Sequence, residues 1–157
     1  MLLVGARALA ADPTGWTPSA AEADLIQALS SRDASPPCAE LEAKLPTPAS
    51  SLQALVEHVT MPPWVGMRAA GCLISGHALE ARPALENWVV DPELHGLAIL
   101  VLGQLDTLPT EVATGVATLA IEKGADPADA RRRVARSTRP EIASLATSLP
   151  ASTPVAQ

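Results

Sequence analysis

Few side chains in this sequence have the type and spacing that chemistry needs. Two cysteines, Cys38 and Cys72, stand 34 residues apart, and three histidines, His58, His77 and His95, fall on three separate segments. A thiolate nucleophile needs a base beside it. A zinc centre needs ligands in a tight local pattern, such as His at i, i+4 or Cys-x-x-Cys. Neither pattern occurs, so the histidines read as helix-surface or turn residues. No catalytic, metal-ligating or cofactor-binding residue is expected, and the chain is read as non-enzymatic. Glu40, Glu42, Glu80 and Glu86 are carboxylates, but the sequence shows nothing that would raise their pKa for acid–base work. The glycines form neither a phosphate-cradling loop nor a Gly-x-Ser-x-Gly elbow.

One charge cluster stands out, "ARRRVAR" at 130–136, with Arg139 beyond it. On a single helix, Arg132, Arg136 and Arg139 would share a face and Arg131 would lie on an adjoining stripe. Guanidinium forks suit a phosphate or an acidic partner surface. The plainer reading is a solvated face that balances an acidic body. Residues 1–130 carry 16 acidic and 6 basic side chains, whereas 131–157 carry five Arg against one Glu, for a net charge of −6. That body repels nucleic acid, and the arginines lack the interleaved aromatics of a base-stacking surface, so nucleic acid is excluded as a partner.

The elements that position these residues are read as helices. Hydrophobic residues are 48% and charged residues 18% of the 157, enough apolar material for a core. With no Phe and no Tyr, that core must be built from Leu, Val, Ala, Ile and three Trp, a mixture that favours helix over strand. No apolar run approaches the ~18–20 residues of a membrane span. At the start, "MLLVGARALAADP" carries a small-x-small pattern at Ala8-Leu9-Ala10 behind a short apolar stretch interrupted by Arg7. Residues 1–16 are therefore read as a tail that ends a signal peptide, which favours a periplasmic or secreted protein slightly over a cytoplasmic one.

Proline marks the helix starts. Nine of the fifteen prolines (18, 37, 48, 63, 83, 92, 109, 127 and 140) precede segments with helical apolar spacing, and proline is favoured at the first helical position. Thr17 is the expected N-cap of the first helix, with Ser19 and Glu22 as a capping box. Stops are expected at Ser75-Gly76 and at Gly124. Leu52, Leu55, Val56 and Val59 form one helical stripe; Val112, Val116, Leu119 and Ala120 form another.

A period links these helices. A shift of 29 sets "PPWVGMRAAGCLI" (62–74) on "DPELHGLAILVLG" (91–103), matching Pro63 with Pro92, Ala69 with Ala98 and Leu73 with Leu102. A shift of 26 sets Pro36-Pro37 on Pro62-Pro63. Each segment has Asp or Pro before Pro, an apolar residue two further on, a small Ala in mid-helix and Leu near the end. In this frame the chain resembles the HEAT-like helical repeats, in the short form common in bacterial proteins and in phycobilisome-lyase-type repeats. Arg68 stands where such repeats often carry Arg. Ile74 departs from the Leu-Gly ending, and Asp129 departs where Leu94 is apolar.

The resemblance implies an all-α, right-handed α-solenoid of about four two-helix repeats (36–60, 62–90, 91–123 and 126–149), capped by an N-terminal helix at 18–31. All of this would form a single domain over 17–149, followed by a disordered tail at 150–157. Stacked hairpins share one core, and atypical end units shield it. The concave face, commonly the binding surface in this family, would carry Glu57, His58, Glu86, Glu111, Thr114, Thr118 and Glu122. Trp64 matches Glu93 of the next unit and is a candidate surface anchor, whereas Trp88, between Leu85 and Val89, is expected in the core. The frame makes Cys38 second in its first helix and Cys72 tenth in the next. That offset is ~12 Å along parallel helices at ~1.5 Å per residue, beyond the ~4.4–6.8 Å that a disulfide tolerates. Cys72 is therefore expected as a small core residue beside Leu73. The implied function is a non-catalytic scaffold that binds another protein through its concave face, with Arg131, Arg132, Arg133 and Arg136 as a second patch. A HEAT-like lyase or base glycosylase, or a fragment of a larger solenoid, is the alternative.

Overall fold

The computed structural model describes residues 15–31 and 36–150. The expected signal-peptide end, through residue 14, and the tail from 151 onward lie outside the described residues. Among those described, the protein is all-α and has no strand. The chain divides into two compact units, 1–69 and 70–157, with the boundary inside one helix.

The first unit contains α1 (Ala20–Ser30), α2 (Cys38–Glu42), α3 (Pro48–His58) and the beginning of α4 (Pro63–His77). The capping box forms as expected. Ser19 Oγ accepts the Glu22 N–H at 3.3 Å, and the Glu22 carboxylate accepts the Ser19 N–H at 2.8 Å. Ser19 is itself the N-cap, so the helix begins at Ala20, and the expected roles of Thr17 and Pro18 shift outward by two residues. Burial raises the Glu22 pKa, but hydrogen bonds from the Ser19 N–H, the Ser19 hydroxyl and the buried Ser51 hydroxyl outweigh it and leave the carboxyl below its usual range. Leu25, Ile26 and Leu29 form the buried stripe of α1, and α1 packs on α3, whose Leu52 and Leu55 are also buried. Full burial of such a side chain contributes about 1.5–3 kcal/mol. The His58 ring stacks on Trp16 with centroids 5.0 Å apart.

The second unit holds the rest of α4 and then α5 (Arg82–Val90), a 3₁₀ turn (Pro92–Leu94), α6 (His95–Leu102), α7 (Thr110–Lys123), α8 (Pro127–Val134), α9 (Pro140–Ala143) and α10 (Leu145–Ser148). Helix α7 is its hub, packing on α5, α6, α8, α9 and α10. Two rows at i, i+4 explain this: Val112, Val116 and Ala120, then Ala113, Ala117 and Ile121, all buried. The alanines let neighbouring backbones approach closely.

Proline punctuation holds with adjustments. Pro48, Pro83, Pro92, Pro127 and Pro140 take the first or second helical position, and Pro63 begins α4. Pro37 and Pro109 instead serve as N-caps, where the carbonyl accepts the first intrahelical bonds. Asp91 caps the turn through the Glu93 N–H. The stop expected at Ser75-Gly76 falls one residue later, at His77, where α4 ends. At Gly124 the stop holds for a steric reason. A Cβ there would collide with the Ala120 carbonyl oxygen and stand 3.1 Å from that of Val89. In α6 no apolar residue is exposed: Leu97, Val101 and Leu102 are buried and Ala98, Ile99 and Leu100 half-buried, in a helix that packs on α5, α7 and α8.

Both cysteines, Cys38 and Cys72, are disulfide-bonded and no free thiol remains. This corrects the expectation of two separate residues. Its premise, a full-length first helix from Pro37 in register with the one from Pro63, fails at α2, which spans only Cys38–Glu42.

Candidate partner-binding surface

Opposite its buried rows, α7 carries Glu111, Thr114, Gly115, Thr118 and Glu122, a single helical stripe by spacing. Glu111 and Glu122 are exposed, whereas Thr114 and Thr118 are half-buried. On neighbouring α5, Arg82 Nε donates to Glu86 Oε1 at 2.7 Å. This pair lies over Gly115: a Cβ there would stand 2.9 Å from Glu86 Oε1 and 3.4 Å from Arg82 Nη2. The missing side chain makes the notch in which the ion pair sits. Glu86 raises the Arg82 pKa, first by its hydrogen bond and then by its charge, and Glu111 adds a smaller effect. Glu86, Glu111, Thr114 and Thr118 thus belong to one α5–α7 face. Arg82 makes it less acidic than the stripe alone suggests.

Trp64, in the first unit, is half-buried, and its indole N–H points to the Ser30 carbonyl at 3.4 Å. One turn later, Arg68 Nη1 donates to the carbonyls of Leu29 and Ser31 at 2.7 and 2.6 Å. Together they close the C-terminal end of α1, whose last carbonyls have no partner within the helix.

The arginine cluster does not form one face, because α8 ends at Val134 and leaves Arg136 and Arg139 beyond it. Arg131 is engaged by the carbonyls of Ala146 (2.8 Å), Leu149 (3.1 Å) and Pro150 behind α10. Asp129 takes Arg132 at 3.0 Å and Arg133 at 2.5 Å. The Arg133 hydrogen bond, opposed by burial and aided by Arg132, holds the Asp129 carboxyl below its usual range. Arg139 clamps the α6–α7 loop by donating to the Leu108 carbonyl at 2.8 Å and to Thr110 Oγ1 at 2.6 Å. The Arg136 side chain is exposed and makes no hydrogen bond or ion pair among the described residues, although its N–H donates to the Arg133 carbonyl at 3.1 Å.

Sequence reasoning missed Asp106. Its carboxylate accepts Ser137 Oγ at 2.5 Å, Thr138 Oγ1 at 2.8 Å and the Thr138 N–H at 3.1 Å, which ties the α6–α7 loop to the α8–α9 loop. An Asp two residues before Leu-Pro marks a turn, but its partners lie 31 and 32 residues away. The Ser137 hydroxyl, then the Thr138 N–H and hydroxyl, hold this carboxyl below the usual range. A folded pKa below the unfolded one stabilises the fold above the unfolded carboxyl pKa of about 3.9, and this stabilisation is lost as pH falls through the folded value. Asp106→Asn is therefore expected to lower the melting temperature at pH 7, and the gap to wild type should close as pH drops below about 4. Parallel thermal melts across pH check this. A gap that stays constant with pH contradicts it.

No protein-family model, no curated protein and no solved structure matches this chain.

Proposed function

We propose that the protein is a HEAT-like helical-repeat module of about four units, and that it binds another protein without catalysing a reaction. The observation that carries this reading is the α5–α7 face. A stripe with two exposed carboxylates lies beside an ion pair, on a helix whose opposite side is fully committed to the core. Rigid backing and charge on one surface suit recognition by charge complementarity. The partner would present basic residues to Glu86, Glu111 and Glu122, with Thr114 and Thr118 supplying hydroxyls. A place of work outside the reducing cytosol is supported by the disulfide-bonded state of Cys38 and Cys72.

Affinity capture with wild type and with Glu111→Lys/Glu122→Lys tests the reading. Both positions are exposed, so the variant is expected to fold and to lose the specific partner. If the same partner is captured equally well, this face is not the binding surface.

A further inference from the structure

The α5–α7 face carries one base among its acids, and that base sits where its own helix disfavours it. Arg82 opens α5, and the first turn of this helix has no acid and no side-chain cap. A cation at a helix N-terminus opposes the helix dipole. Glu86 stands four residues later, and an i, i+4 pair is weaker with the base first than with the acid first. The acids of the face hold Arg82 instead. Glu86 Oε1 accepts its Nε–H at 2.7 Å, Glu111 on α7 attracts it, and the bare Gly115 leaves room for the pair. The pair is open to solvent, with 42% of the Arg82 side chain and 29% of the Glu86 side chain exposed. Glu86 Oε2 and the Glu111 carboxylate accept no hydrogen bond among the described residues.

We infer that Arg82 is an internal stand-in for a basic side chain of the partner, and that an arginine of the partner displaces it from Glu86 on binding. The inference rests on the reading of the α5–α7 face as the partner-binding surface. Glu86, Glu111 and Glu122 stand against Arg82 alone, so the excess on the face is negative, and the C-terminal end of α7 beside Glu122 adds to it. Such a surface selects a cation. Arg82 spends a single N–H on one oxygen of Glu86. A guanidinium arriving from outside is not tied to the first turn of α5, and its fork can engage both carboxylate oxygens at once. A lysine ammonium lacks that fork, so arginine is the better competitor. In the free protein Arg82 therefore covers Glu86 and raises the threshold for weakly basic partners.

The test is a titration of the full chain at low salt with acetyl-Ala-Arg-Ala-Arg-Ala-amide, followed by NMR at the Gly115 and Thr118 amides. Arg82→Gln is expected to tighten peptide binding about fivefold, the upper end of what an exposed ion pair withholds. The same substitution is then made in a Glu86→Gln background. Nothing is left there for Arg82 to cover, so Arg82→Gln should change affinity by less than about twofold. Lys123→Gln removes the same charge from a position off the α7 stripe and should also change it by less than about twofold. No tightening in Arg82→Gln, or equal tightening with and without Glu86, overturns the inference while the reading of the face stands. If the peptide moves neither amide in wild type nor in Arg82→Gln, the reading of the face fails and the inference falls with it.

Discussion

Trp88→Ala is expected to destabilise the protein by about 3–5 kcal/mol, the range for deleting a buried aromatic side chain. Trp88 is 3% exposed on α5, between Leu85 at 0% and Val89 at 3%, and this helix packs on both α6 and α7. The chain has no Phe or Tyr to share the load. The surrounding side chains are mostly Leu, Val and Ala, too small to close the cavity an indole leaves. Urea unfolding followed by circular dichroism measures the effect without relying on the lost fluorophore. Trp64→Ala gives the contrast: its indole is half-buried and caps a helix end, so its cost should be clearly smaller. If Trp88→Ala shifts stability by less than Trp64→Ala, the packing assigned to the α5–α7 core is wrong.

The second large effect is redox. Reduction, or Cys38→Ser with Cys72→Ser, is expected to cost about 2–4 kcal/mol, chiefly by freeing the unfolded chain. Neither cysteine offers a thiol in the folded protein, and Cys72 is 4% exposed. A thiol reagent should therefore find no reactive group in the native, oxidised protein and two after reduction and unfolding. The unfolding midpoint should fall in reducing buffer for wild type but not for the double variant. Equal midpoints with and without reductant contradict the oxidised state.

Local signals in the sequence located most helices. Proline at 48, 63, 127 and 140 fixes starts because each lacks an N–H that the first turn does not use. The Ser19–Glu22 box and the Asp91 cap operate over two or three residues, so they too are legible. Interactions across longer distances are not. Arg131, Arg133 and Arg136 look alike in a basic run, yet one closes α10, one pairs with Asp129 and one has no partner among the described residues. Nothing local separates them, because the deciding carbonyls belong to 146, 149 and 150. Asp106 was missed for the same reason. Ser75-Gly76 lies in the last turn of α4, so this signal too located the helix end to within two residues. The cysteine offset misled because it assumed equal helices, and α2 has only five residues.

The α5–α7 face is proposed to recognise a partner by charge. The direct measurement is the affinity of the captured partner for wild type and for Glu111→Lys/Glu122→Lys, each at low and high salt. The expected result is weaker binding in the variant by at least about tenfold, with the salt dependence of the wild type reversed or abolished. Equal affinities and equal salt slopes for the two proteins would contradict it.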